Sequence, residues 1–128
     1  MALNSRELCE FVLHVLDEKK ADDLSCIPVA EKTSLADYFV MASANTPTHV
    51  KALADELIYR LKQDYDIQAL GVEGFETGRW VLLDLGSVIV HIMHKQERSF
   101  YNLEKFWEGK EGENLSPLDS ESQESSLS

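Results

Sequence analysis

Residues 46–63 constrain this chain more than any other stretch. Thr46-Pro47 is a strong helix start, a capping hydroxyl followed by proline at the first helical position. Behind it Val50, Leu53, Ala54, Leu57, Ile58 and Leu61 recur at helical spacing and trace one apolar stripe. Lys51, Asp55, Glu56 and Arg60 fall off the stripe, as a solvated face requires. Such a helix must lay its stripe on something apolar, and the flanking sequence is strand-like. Asp37-Tyr38-Phe39-Val40-Met41-Ala42 precedes it, rich in aromatic and β-branched types. Runs at 67–72, 80–84 and 88–93 follow it.

The remaining elements fill in around this unit. Asn4 and Glu7 have the spacing of a capping box, and Leu8, Phe11, Val12, Val15 and Leu16 continue as a first amphipathic helix to about Glu18. Residues 24–29 form a short apolar run containing Pro28, which places that strand at a sheet edge or stops it at Ile27. Residues 96–107 read as a closing helix with Phe100, Leu103 and Trp107 on one face. The expected order is α β β α β β β α: a single α/β domain over residues 1–108, with a mixed five-stranded sheet and flanking helices. From Gly109 onward Ser, Glu and Gly dominate, and residues 109–128 are expected to be a disordered acidic tail.

The hairpin 80–93 carries the most informative pattern. With a tight turn at Leu85-Gly86, Asp84 pairs with Ser87, Leu82 with Ile89 and Trp80 with His91. One face is then aliphatic, with Val81, Leu83, Val88 and Val90, as a core face under a helix should be. The other shows Trp80, Leu82, Asp84, Ser87, Ile89 and His91. Aromatic anchors among polar groups fit a protein-docking face. A second core face, with Trp80 and His91 bonded internally, fits the pattern equally well.

Charge and motif content narrow the function. The formal net charge is -11, which opposes direct binding to a nucleic-acid backbone. Of this, -5 falls from Glu108 onward, where six acids meet Lys110 alone. The acidic balance suits a basic partner or serves solubility. No run of residues approaches the roughly 20 apolar positions that span a bilayer. No leader is evident at the N-terminus, so a cytoplasmic location is expected. Cys9 and Cys26 form no CxxC pair and read as separate small core residues. His91 and His94 point to opposite faces of a strand, so no metal is expected there. There is no phosphate-cradling glycine loop, hydrolase elbow or zinc-protease motif. Asp37 and Asp84 could hold Mg²⁺ and phosphates, which keeps a nucleotide-handling enzyme as an alternative. The expectation is nevertheless a binding protein with no cofactor and no catalytic residues.

Several ordered blocks then resemble one family. Ala36-Asp37-Tyr38-Phe39-Val40 with Ala42-Ser43, and His49-Val50-Lys51-Ala52-Leu53-Ala54-Asp55-Glu56, resemble the central signature of the ribosomal silencing factors of the Iojap type (RsfS). Glu73-Gly74, Gly78-Arg79-Trp80-Val81-Leu82-Leu83-Asp84 and Val88-Ile89-Val90-His91-Ile92 are similar to its second block. Arg98, Phe100-Tyr101, Leu103-Glu104 and Trp107 resemble its closing helix. The resemblance implies an α/β fold like the nucleotidyltransferase core but without its catalytic motif. It implies binding to ribosomal protein L-fourteen on the large ribosomal subunit, where a bound factor blocks the small subunit and represses translation. It also implies homodimers in some members, and leaves a large-subunit assembly role at the same site as an alternative. Carried over by position, Trp80 and Asp84 belong to the block used near the partner. Leu82, Ile89 and His91 share their strand face, and Asp37, Tyr38, His49 and Lys51 are second-tier candidates. The 43–46 turn departs from the forms associated with the family.

Overall fold

The computed structural model describes residues 3–101. The expected helix 96–107 is described as far as Tyr101, and the rest of it and the 109–128 tail lie outside the described residues. The elements are α1 (Ser5–Glu18), β1 (Asp22–Pro28), β2 (Tyr38–Ala44), α2 (Pro47–Tyr65), β3 (Gly71–Glu73), β4 (Trp80–Asp84), β5 (Val88–His94) and α3 (Lys95–Tyr101). Their order is the one expected, and they form one α/β domain around a five-stranded sheet of order β1-β2-β5-β4-β3. The β2–β5 pair is parallel and the other pairs are antiparallel, so the sheet is mixed.

Both long helices start where their caps dictate. The Asn4 side chain accepts from the Glu7 N–H at 2.8 Å, and Glu7 reciprocates by accepting from the Asn4 N–H at 3.1 Å. Thr46 Oγ1 accepts from the His49 N–H at 3.0 Å, with Pro47 opening α2. Val12, Val15 and Leu16 of α1, and Val50, Leu53, Leu57 and Leu61 of α2, are buried against Val40, Ala42, Val81, Leu83, Val88, Val90 and Ile92 of the sheet. This one face holds the larger of two cores. A smaller one gathers Ile27, Val29, Ala36, Phe39, Met41 and Met93 on the opposite face, with Trp80 and Ile89 packed against it.

Three local expectations are corrected. The hairpin turns on Gly86-Ser87, not Leu85-Gly86, closed by the Leu85 N–H donating to the Val88 carbonyl at 2.9 Å. A two-residue turn of this kind needs positive φ at its first position, which Gly86 supplies at +91° and a leucine would resist. Asp84 reinforces the turn by accepting from the Gly86 N–H at 2.9 Å. Sliding the turn by one residue shifts the pairing by two, so Trp80 now opposes Met93, Leu82 opposes His91 and Asp84 opposes Ile89. An even shift leaves every side chain on its expected face.

The second correction concerns β3, which is confined to Gly71–Glu73 rather than 67–72. Asp66 ends α2 in the left-handed region at φ 56°, and the Ile67 N–H donates back to the Leu61 carbonyl at 3.1 Å. Those residues are spent leaving the helix, and Ile67 and Ala69 pack on the core from the cap. The third concerns the cysteines. Cys9 of α1 and Cys26 of β1 are core residues as expected, but they lie side by side with their sulfurs in contact rather than apart. The chain reverses between α1 and β1, bringing together two residues whose sequence spacing resembles no known pairing motif. No helix among the described residues is long and apolar enough to cross a membrane.

Candidate docking face

The face of the sheet opposite α1 and α2 is assembled by strand parity alone. Trp80, Leu82 and Asp84 of β4 lie beside Met93, His91 and Ile89 of β5, and these in turn lie beside Ser43, Met41 and Phe39 of β2. The two readings left open by the pattern divide this face between them. Toward β1, Met41 and Met93 are fully buried and Phe39 nearly so, while α3 crosses with Arg98 buried and donating to Ser25 Oγ at 3.5 Å. Toward β3, Trp80, Leu82, Asp84 and Ile89 are only half-buried. That outer half is the open surface.

At the boundary between the halves sits His91, 5% exposed. The Trp80 indole Nε1–H donates to His91 Nδ1 at 3.1 Å, and the ring centroids are 6.0 Å apart. A nitrogen that accepts carries no proton, so the neutral ring holds its hydrogen on Nε2. Nε2 is buried without a hydrogen-bond partner. Phe39 packs on the other side of the imidazole, 5.0 Å between centroids and tilted by 57°. Burial pushes the His91 pKa down to about 4. His91 is therefore a neutral strut that fixes the indole of Trp80, and among the described residues no group of His, Cys, Asp and Glu is arranged to hold a metal ion.

The strand carrying Trp80 is positioned by two glycines. A Cβ at Gly74 would lie 2.1 Å from the Trp80 carbonyl oxygen, and its φ of +80° already disfavours a side chain. Gly78, at φ +68°, brings the loop onto the Pro47 carbonyl at the start of α2. Substituting Gly74→Ala should cost at least about 1 kcal/mol through the left-handed backbone alone. It should also move Trp80, so that a lowered Tm comes with altered tryptophan fluorescence. Unchanged fluorescence would mean that Gly74 does not set the Trp80 position.

The remaining candidates are placed elsewhere. Tyr38 opposes Val88 and packs on the α1–α2 side, away from Trp80. Asp37 is exposed just ahead of β2, its N–H donating to the Ser87 carbonyl at 2.7 Å, so it stands beside the hairpin tip. His49 lies at the start of α2 with Nε2 3.1 Å from the Lys19 carbonyl oxygen, and the Lys51 ammonium stands 6.0 Å from the Phe75 ring centroid. Neither touches the face. Sequence reasoning had missed Phe39 and Met41 as its floor, because the parallel β2–β5 pairing that places them there has no local signal.

Comparisons with known proteins agree with this architecture. A family model described as "Ribosomal silencing factor during starvation" matches residues 2–127. The chain is 38% identical over 105 residues to a ribosomal silencing factor RsfS from Halalkalibacterium halodurans, covering 82% of this chain and 89% of that one. A crystal structure of a Chromobacterium violaceum protein superposes with a TM-score of 0.79 at 31% identity, covering 89% of this chain and 92% of that one. The chain is also 28% identical over 100 residues to the mouse "Mitochondrial assembly of ribosomal large subunit protein 1", covering 77% of this chain and 44% of that one.

Proposed function

Because the chain belongs to the ribosomal silencing factor family, we propose that it docks on the large ribosomal subunit through the open half of its sheet face and blocks the small subunit sterically. The partner in this reading is ribosomal protein L-fourteen, the setting is the cytoplasm, and the consequence is repression of translation. The observation that carries it is the half-buried group of Trp80, Leu82, Asp84 and Ile89 on a rigid hairpin, with the Trp80 indole held by His91. A large aromatic beside aliphatics and a carboxylate is the composition of an interface anchor. Occlusion needs no bond made or broken; it requires affinity enough to compete with subunit association. The chain then acts as a binding protein and not as an enzyme.

The test is sedimentation of the purified protein with separated subunits and with intact ribosomes. Co-migration with the large subunit, together with reduced joining to the small subunit, is the expected outcome. Absence from both subunits would overturn the proposal. The name of the mouse relative favours one second reading, a role in large-subunit assembly at the same surface. Finding the protein on immature rather than mature large subunits would select that reading.

A further inference from the structure

The sheet ends at β3, the last strand in its order, so the outer backbone edge of Gly71–Glu73 has no neighbouring strand among the described residues. This edge is not blunted by a basic residue. Glu73 opposes Leu82 and Gly71 opposes Asp84, so these four residues share the face that carries Trp80. A Cβ on Gly71 would meet nothing within 4 Å, which leaves a bare floor between the two carboxylates. Diagonal positions of this kind lie roughly 7 Å apart, within reach of one inserted cation. Apolar side chains are exposed along the same strand edge: Leu70 is 75% exposed, and Val72, which opposes Leu83 and so lies on the other face, 41%. Leu70 also continues the hairpin tip, its N–H donating to the Asp84 carbonyl at 2.7 Å.

The charges here are unspent. Lys62 pairs with Asp66 and Arg60 with Asp64, whereas Glu73 and Asp84 have no ion-pair partner among the described residues. We propose that the docking surface continues over this edge and receives an extended, basic segment of the protein partner. That segment lies along β3, with a Lys or Arg entering over Gly71 between Asp84 and Glu73, and apolar side chains against Leu70 and Leu82. Addition of a strand to an open edge supplies backbone hydrogen bonds, and the carboxylates select the basic side chain. A second copy of the chain fits poorly, because it would bring Glu73 and Asp84 against their own kind on a protein already at -11. The inference rests on the large-subunit reading above.

Binding of the full chain to isolated large subunits tests it, at low and moderate salt, with Tm and self-association measured in parallel. Gly71→Tyr places a ring over the floor at a site with room for it, and Tyr suits an edge strand, so Tm should hold or rise. Its affinity should fall at least tenfold. Glu73→Lys should also bind more weakly and with less dependence on salt, whereas Tyr59→Lys, on exposed α2 surface, should bind as the parent does. If the parent binds and both edge variants bind equally well, the inference is overturned while the large-subunit reading stands. Should the edge variants abolish self-association and leave subunit binding intact, the occupant is a second copy and the inference fails. A parent chain that binds neither subunit removes both proposals.

Discussion

Replacing Trp80 by alanine should lower the affinity of the chain for large ribosomal subunits roughly 30-fold, the equivalent of about 2 kcal/mol for truncating a central interface aromatic. The size of the effect follows from how the indole is held. It is half-buried, its Nε1–H is satisfied internally by His91, and its strand is fixed between β3 and β5. A side chain already locked in place loses little entropy on docking, so more of its contact energy reaches the affinity. Alanine removes the contact and also frees His91, whose two ring nitrogens then both lack partners.

Trp80→Phe separates these two losses. It keeps an apolar ring but has no N–H for His91 Nδ1, so affinity should lie between those of the parent and the alanine variant. Circular dichroism and Tm must show both variants folded. Parental binding by a folded Trp80→Ala protein would take Trp80 out of the docking face. The nearby apolar residues would then carry the interface without it.

The parts of this fold that could be read from sequence are those set by local periodicity. The α2 stripe is visible because every third or fourth residue from Val50 to Leu61 must face the sheet. The two faces of the hairpin were legible although its turn was misplaced, since an error of one residue in the turn moves pairing by two and preserves parity. What escaped depends on contacts distant in sequence. Phe39 and Met41 reach the face only through parallel pairing with β5 across the whole of α2, β3 and β4. The family resemblance offers Tyr38 and Asp37 alike as candidates, yet the pairing of Tyr38 with Val88 turns it toward the helices. The shortened β3 reflects a helix cap made by Asp66, which lacks the glycine signal that usually marks such an ending. The contact between Cys9 and Cys26 required knowing that α1 folds back against β1.

The buried imidazole gives the largest effect expected on stability. In the folded chain the pKa of His91 is about 4, with burial as the cause, against 6.5 for the free side chain. Asp84 shares this face one pair further along β4, and the groups that touch or pair with the imidazole, Trp80, Phe39, Met41 and Leu82, are uncharged. No carboxylate among them rewards a proton. Between pH 6.5 and 4 the unfolded state therefore binds a proton that the folded state refuses, and stability falls as pH falls. The contribution is fully present above pH 6.5 and is lost by roughly 3 kcal/mol on reaching pH 4. Denaturant unfolding at a series of pH values should show this slope. His91→Gln should flatten it, because an amide oxygen can accept from the Trp80 N–H and does not titrate in this range. Docking of the parent should fade over the same interval as the face comes apart, and docking by the glutamine variant should persist to lower pH. Identical slopes in the two proteins would mean that some other group governs the acid limit, and that His91 is not the neutral strut described for this face.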